Sequence, residues 1–179
     1  MLSDSALLGL PAPAKLNLFL HVVGRRPDGK HLLESVFTLI DLHDTIDLFR
    51  LEEPVVERTG DVIGNVEKDL CVRAARLLME TFDVRSGVRI HVEKRIPAGA
   101  GMGGGSSDAA TVLIGLNRLF GLGLSRSALM ELGERLGADV PFFIFGRTGF
   151  VEGIGEIITP LAIPPASYAV IWPGRGIST

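Results

Sequence analysis

The chain has 179 residues, of which 46% are hydrophobic and 22% are charged, and its net charge is −3. These values suit one well-filled domain, or one complete domain and the start of another. No cluster of lysine and arginine supplies the basic stripe that nucleic-acid backbones require, so we expect no nucleic-acid partner. The single cysteine, Cys71, excludes an internal disulfide and a thiolate zinc site. Because we find neither a secretion signal nor a membrane-length apolar run, we expect a cytoplasmic protein without membrane contact.

Residues 14–23 alternate strictly between apolar and polar side chains, which predicts a strand with one buried face. The opposite, open face carries Lys15 and Asn17 side by side. Four aliphatic residues are expected to point toward the core: Leu16, Leu18, Leu20 and Val22. A turn at residues 27–29 follows, and then two strands near 35–40 and 45–51, separated by a polar stretch.

Residues 53–67 are predicted to form a loop, and residues 68–82 a helix that turns Cys71 toward the core. A strand is predicted over 88–94, with Val88, Ile90 and Val92 on one face. Two helices follow, over 107–120 and from the N-cap Ser125 to residue 137. Further strands are predicted from residue 148 and over 167–172. Strands and helices do not alternate regularly, which favours an α+β fold over a doubly wound sheet.

A glycine-rich segment joins the strand at 88–94 to the helix at 107–120. It comprises Pro97, Ala98, Gly99, Ala100, Gly101, Met102, Gly103, Gly104, Gly105, Ser106 and Ser107. Glycine lets the backbone approach a ligand closely, and the helix start offers unpaired N–H groups and a positive dipole end. This combination predicts a phosphate-binding site. The alternative is a flexible connector, although so many glycines are an entropically costly way to build one.

Two familiar nucleotide-binding templates do not fit this segment. The spacing Gly99-x-Gly101-x-x-Gly104 matches a dinucleotide fingerprint, but no acidic residue ends a second strand about 20 positions later. The Walker A pattern fails because no lysine follows the glycines. The segment therefore predicts phosphate binding, but it does not indicate which class of nucleotide-binding protein this is.

Two residues outside the glycines are candidates for phosphoryl-transfer chemistry. Asp139, in Gly-Ala-Asp-Val-Pro, is a candidate base, and its alternative role is to cap the turn that follows. Lys15 is a candidate cation, and its alternative is a solvated lysine on an open strand face. The histidines show no metal-ligand spacing.

At this point the sequence resembles a known family. The segment PAGAGMGGGSSDAA closely resembles the phosphate-binding motif of the kinase superfamily that includes galactokinase, homoserine kinase and mevalonate kinase, the GHMP kinases. PAKLNLFLHVVGRRPDGKH, GADVPFF and EGIGEIITPL narrow the resemblance to the kinases of 4-diphosphocytidyl-2-C-methyl-D-erythritol, in isoprenoid precursor synthesis. The resemblance implies ATP as co-substrate with Mg²⁺, and transfer of its γ-phosphate to a substrate hydroxyl. Alternatives are a sister kinase with another small substrate and an inert nucleotide-binding domain.

The resemblance also implies roles for single residues. Asp139 would be the base and Lys15 would assist it electrostatically. Pro97–Ser107 would hold the ATP phosphates, while Asn65 and Lys94 would border the nucleotide. The substrate side would include Asn17 and His31, with His31 near the cytosine. Apart from Ser107 as a candidate, no protein ligand is assigned to the metal.

The implied fold is that of ribosomal protein S5 domain 2, a mixed sheet packed by helices. This ATP-binding domain would span residues 1–165, and residues 166–179 would begin a ferredoxin-like second domain whose remainder is absent. We therefore expect weak transfer by this chain alone. We also expect an exposed apolar surface that favours homo-oligomers.

Overall fold

The computed structural model describes residues 5–174 of the chain. Over this range, six strands form one mixed sheet, and helices pack against it. The strands are β1 (Ala6–Arg25), β2 (His31–Leu51), β3 (Val56–Gly60), β4 (Gly87–Glu93), β5 (Gly149–Gly153) and β6 (Ile157–Pro160). The α-helices are α1 (Leu70–Thr81), α2 (Gly104–Leu119), α3 (Arg126–Glu134) and α4 (Val140–Phe145), and a short 3-10 helix spans Val66–Lys68.

The long strand β2 is the centre of the sheet. It pairs with β1 along one edge, and with both β4 and β5 along the other, always antiparallel. The order on that path is β3-β4-β2-β5-β6, and only the β3–β4 pair is parallel among the described strands. This arrangement confirms the predicted α+β class with a mixed sheet. Within residues 5–174, no helix is both long and apolar enough to cross a lipid bilayer.

The predicted break between two strands at residues 41–44 is wrong, because β2 continues through it. The reason is Asp44, whose side chain is fully buried yet accepts hydrogen bonds from the backbone N–H groups of Arg95 and Ile96. A buried polar group is tolerated inside a strand when such partners satisfy it. The local sequence does not reveal those partners, since they lie about 50 positions later.

The predicted burial of the first strand is also wrong in its second half. Leu18, Leu20 and Val22 are 40%, 51% and 63% exposed, whereas Lys15, expected on the open face, is 5% exposed. The β1–β2 register shifts four times, including once between positions 13 and 15 and once between 17 and 20. Three of the four shifts insert one extra residue on one strand, and the shift between positions 13 and 15 inserts two. Residues 17–23 are exposed on both faces, so simple alternation cannot be extrapolated along this strand.

Two further boundaries differ from expectation. The predicted loop over 53–67 contains β3 and the 3-10 helix, because Val56–Gly60 pairs with the buried strand β4. The strand predicted over 167–172 is not formed, since no neighbouring strand pairs with it among the described residues. A strand requires a hydrogen-bonding partner that the apolar pattern alone does not supply.

The first strand begins eight residues before its predicted start at residue 14, since β1 starts at Ala6. The other predicted elements are confirmed within a few residues of their ends. The Asp69 side chain accepts a hydrogen bond from the Cys71 N–H at the start of α1, and Cys71 is buried. Ser125 caps α3 by accepting from Ala128 N–H, as predicted. On β4, Val88, Ile90 and Val92 are all fully buried in the core, as predicted. Lys94, just after β4, donates to Asp108 of α2, which places the end of β4 beside the start of α2.

Candidate active site

The glycine segment lines a pocket of about 490 Å³ between the end of β4 and the start of α2. Every residue of Pro97–Ser106 borders this pocket. Ser107 does not border it, since its side chain is fully buried. The Ser107 Oγ has no hydrogen-bond partner. The volume lies within the range of small-molecule sites. A loop that lines a pocket along its whole length is shaped for a ligand, which argues against a simple connector.

Three glycines give this loop its shape. Gly99, Gly101 and Gly103 have φ values of 70°, 73° and 71°, a conformation that other residues rarely adopt. At Gly103 a Cβ atom would also lie 2.7 Å from the Phe143 ring and 3.3 Å from Lys15 Cγ. Both the backbone angle and the close packing therefore require glycine at this position.

The helix α2 begins directly behind Gly103, three residues earlier than predicted. The first N–H groups of a helix have no intrahelical partner, and α2 has no side-chain cap. These donors and the positive end of a 16-residue helix face the pocket through Gly104 and Gly105, which border it. This geometry favours an anionic ligand such as a chain of phosphates.

Lys15 is held at the edge of this site by three neighbours. Its Nζ donates to Asn17 Oδ1 at 2.8 Å, lies 3.5 Å from Asp139 Oδ2, and sits 4.2 Å from the centre of the Phe37 ring. Its backbone N–H donates to the Met102 carbonyl in the glycine loop, at 3.0 Å. A solvated lysine on an open strand face is therefore not what the structure contains.

Asp139 borders the same pocket and keeps its side chain about one-third exposed, at 34%. It occupies the N-cap position of α4, with proline in the first turn, but its side chain makes no capping hydrogen bond. Its ion pair with Lys15 turns the carboxylate toward the site instead. An accessible carboxylate beside a buried ammonium can accept a proton from a bound hydroxyl.

The remaining predicted site residues lie at different distances from the pocket and from the Lys15–Asp139 pair. Lys94 borders the pocket, whereas Asn65 does not and instead caps the 3-10 helix by accepting from Glu67 N–H. Asn17 contacts Lys15 through its side-chain oxygen.

His31 lies far from the Lys15–Asp139 pair. It pairs with Arg25 at the turn end of the β1–β2 hairpin. Six positions of β2 separate His31 from Phe37, about 20 Å of extended strand, so residues 5–174 do not bring it to the Lys15–Asp139 pair.

Sequence reasoning missed two acidic residues at this site. Asp108, in the second turn of α2, accepts from Lys94 Nζ at 2.6 Å, and Asp44 accepts from the same atom at 2.5 Å. Asp108 directly follows the serines of the glycine motif, which was a usable signal. Asp44 gave a weaker one, as an acidic residue between two strand-like runs.

The carboxyl group of Asp108 has an unusual pKa. Burial raises its pKa from 3.8 to about 7; Lys94 opposes the rise and Asp44 adds to it. The pKa of Lys94 is also raised: its burial acts to lower it, but the two carboxylates outweigh that effect. One oxygen of Asp108, Oδ1, is buried without a partner, which agrees with the disfavoured ionised form.

This pKa predicts a pH-dependent effect of Asp108→Asn on stability. Because the folded-state pKa lies above the unfolded value, the folded protein binds more protons between about pH 4 and pH 7, and this carboxyl destabilises the fold as the pH rises. The variant, which resembles the protonated form, should gain roughly 2 kcal/mol on the unmodified chain between pH 5 and pH 8. Parallel thermal melts would measure this difference. A constant offset between the two melting temperatures would contradict it.

Comparison with known proteins agrees with this geometry. Residues 69–147 match the model of the GHMP kinases N terminal domain. The 4-diphosphocytidyl-2-C-methyl-D-erythritol kinase of Ralstonia nicotianae is 60% identical over 178 residues, which cover 99% of this chain and 62% of that protein. Its namesake from Ralstonia pickettii is 58% identical over 170 residues, covering 94% of this chain and 59% of that protein. The chain thus spans about three-fifths of the length of these curated relatives.

Solved structures give the same picture for the fold. A crystal structure of 4-(cytidine 5'-diphospho)-2C-methyl-D-erythritol kinase matches with a TM-score of 0.74 and 42% identity, over 89% of this chain and 56% of that one. A homoserine kinase from Cytophaga hutchinsonii matches with a TM-score of 0.67 at 18% identity, over 92% of this chain and 54% of that one. At this identity the match shows a shared fold only. Residues 69–147 are thus similar in sequence to the N-terminal domain of the GHMP kinases, and the chain as a whole shares their fold.

Proposed function

We propose that this chain supplies the ATP site and the catalytic pair of a kinase that phosphorylates a hydroxyl of 4-diphosphocytidyl-2-C-methyl-D-erythritol, in the non-mevalonate route to isoprenoid precursors. The observation that carries the proposal is the Lys15–Asp139 pair, 3.5 Å apart, beside the phosphate-type loop. The choice of substrate is supported by relatives that bear this substrate in their names at 58% and 60% identity.

In this proposal the reaction proceeds by positioning and charge. The ATP phosphates lie on the N–H groups of the loop and of α2, where the helix dipole stabilises their charge. Asp139 accepts the proton of the substrate hydroxyl as the hydroxyl oxygen attacks the γ-phosphorus. The bond between that phosphorus and the β,γ-bridging oxygen breaks, and ADP leaves. Lys15 keeps that carboxylate oriented and offsets the negative charge that develops nearby. Asn17 holds the Lys15 ammonium in place.

Mg²⁺ is proposed to enter with ATP. The described residues contain no cluster of three or more histidine, cysteine or acidic side chains that could hold a metal ion. Kinase Mg²⁺ ions take most of their ligands from phosphate oxygens and water, so the residues of this chain fit a metal delivered as the ATP complex. When bound, the metal neutralises phosphate charge.

The predicted organisation remains part of the proposal. Residues 1–165 would form the ATP-binding domain, and residues 166–179 would begin a second domain that completes the substrate pocket. His31 and the cytosine would meet there, and Asn65 and Lys94 would lie on the nucleotide side. We also propose a cytoplasmic setting. Apolar side chains on β1, such as Leu20 and Val22, are the exposed surface that would favour self-association.

A chimera tests this function directly. In it, this chain replaces the portion of the Ralstonia nicotianae relative that it matches, and ADP release is measured with three acceptors. Turnover with 4-diphosphocytidyl-2-C-methyl-D-erythritol but not with homoserine or mevalonate is the expected result. Preference for another acceptor would indicate a sister kinase. ATP binding without any turnover, against an active parent enzyme, would indicate an inert nucleotide-binding domain.

A further inference from the structure

Both ends of the glycine loop need restraint from outside the loop. Between the last residue of β4, Glu93, and the start of α2 at Gly104 lie ten residues, 94–103, rich in glycine. Within this stretch the backbone makes a long turn hydrogen bond of 3.4 Å from Ala100 N to the Pro97 carbonyl. Glycines with positive φ gain the most conformational freedom when a loop loosens. A defined phosphate site therefore depends on what holds the ends.

One end is held by Asp44. The β2–β4 ladder finishes with Thr45 opposite Glu93, one residue after Asp44 in sequence. Where the ladder stops, Asp44 Oδ1 takes over as acceptor and receives the Arg95 N–H at 2.6 Å and the Ile96 N–H at 2.9 Å. A carboxylate with two backbone donors makes charge-assisted bonds, which are stronger than neutral ones.

The other end is held through Lys94. Its Nζ lies 2.5 Å from Asp44 Oδ2 and 2.6 Å from Asp108 Oδ2, and its side chain is only 13% exposed. Asp108 belongs to α2, so one ammonium joins the end of β4 to the helix behind the loop. The Lys94 backbone N–H is also anchored, by Asp61 Oδ2 at 2.9 Å. The Lys94 ammonium, which the family resemblance places beside the nucleotide, is thus already paired with two carboxylates.

We propose that Asp44, acting through Lys94 and Asp108, is a positioning residue that sets the shape of the phosphate loop by tying its two ends together. The inference rests on the proposed ATP site. It gives a role to an acidic residue in the middle of a core strand, where an apolar residue would pack at lower cost. It also gives a role to the acidic Asp108 next to a proposed site for anions. Proteins commonly accept the free-energy cost of a buried acidic side chain at positions that serve function.

The test compares ATP·Mg²⁺ affinity among variants of this chain by calorimetry. In Asp44→Asn, either the backbone N–H groups or the Lys94 ammonium must face the amide NH₂, so one tie is lost whichever way the amide turns. We expect affinity to fall by about tenfold or more. Lys94→Met should have a similar effect. The double variant should lose little beyond either single change, because both changes remove the same tie.

Two control variants separate positioning from general destabilisation. Leu78→Ala creates a cavity in the core, and Glu57→Gln removes a charge from an exposed pair with Arg89. At a temperature where circular dichroism shows all variants folded, both controls should bind ATP as the unmodified chain does. If Asp44→Asn binds equally well, or if Leu78→Ala weakens binding as much, the inference is wrong.

Hydrogen exchange gives a readout that does not depend on ATP. In the nucleotide-free chain, Asp44→Asn and Lys94→Met should speed exchange across residues 95–107, while Leu78→Ala should not do so selectively. If the unmodified chain fails to bind ATP, the proposed function is contradicted, and loop exchange still reports whether the tie exists. Unchanged exchange in a chain that does bind ATP would overturn the inference alone.

Discussion

Replacing Asp139 by asparagine is expected to abolish phosphoryl transfer in the chimera while leaving ATP affinity nearly unchanged. The amide has the size of the carboxylate but cannot accept a proton, and losing a general base lowers rates by about 10²–10⁴-fold. Because the Asp139 side chain caps no helix and is partly exposed, the variant should fold normally. The turnover number, measured by release of ADP at saturating ATP, is the quantity that should fall.

A matched variant controls for the change in charge. Glu131→Gln alters an exposed carboxylate on α3 that lies outside the pocket, and it should retain full turnover. Calorimetry with ATP·Mg²⁺ should give the same dissociation constant for Asp139→Asn as for the unmodified chimera. Turnover within about twofold of the unmodified chimera would remove Asp139 from the role of base.

Gly103→Ala should have the largest effect on nucleotide binding. The new methyl group would meet the Phe143 ring at 2.7 Å and would also force a side chain onto a backbone with φ of 71°. Relief requires movement of the loop or of Phe143, and either shift misplaces the N–H groups at the start of α2. We expect ATP affinity to fall by about tenfold or more, with a stability loss of about 1–3 kcal/mol.

Variants at two other glycines separate the effect of backbone strain from the effect of a steric collision that moves the loop. Gly121, after α2, has a φ of 65° and open space where a Cβ would lie, so Gly121→Ala carries the strain without the collision, and outside the site. It should lower stability by about 1 kcal/mol and leave ATP binding intact. Gly101→Ala places the same strain inside the loop, again without a collision. If all three variants bind ATP equally, the loop is not the phosphate site.

The helices and the buried strand β4 were predictable because their signals are local. A 3.6-residue period, Ser125 as an N-cap and the apolar face of Val88, Ile90 and Val92 depend only on residues near in sequence. The prediction of a phosphate site at the glycine loop rests on local signals as well. The pairing of Lys15 with Asp139, in contrast, was expected only from the resemblance, since no local pattern joins two residues so far apart.

What could not be predicted depends on distant partners. The side chain of Asp44 looks like a strand breaker until Arg95 and Ile96 are placed beside it. Leu20 is exposed because this half of β1 is uncovered on both faces, over residues 17–23, which alternation does not encode. Strand β3 forms because β4 offers it an edge, and its own sequence is only weakly apolar. In each case a tertiary contact overrides the local pattern.

The hydrogen bond from Lys15 N–H to the Met102 carbonyl joins the strand that carries Lys15 to the loop proposed to bind phosphate. A displacement of either segment strains this 3.0 Å bond and is therefore transmitted to the other. A nucleotide that immobilises the loop lowers the entropic cost of ordering the acceptor side, and an acceptor that immobilises Lys15 does the same for the nucleotide. Linkage makes these two effects equal in free energy, so the two ligands should bind cooperatively, whichever arrives first.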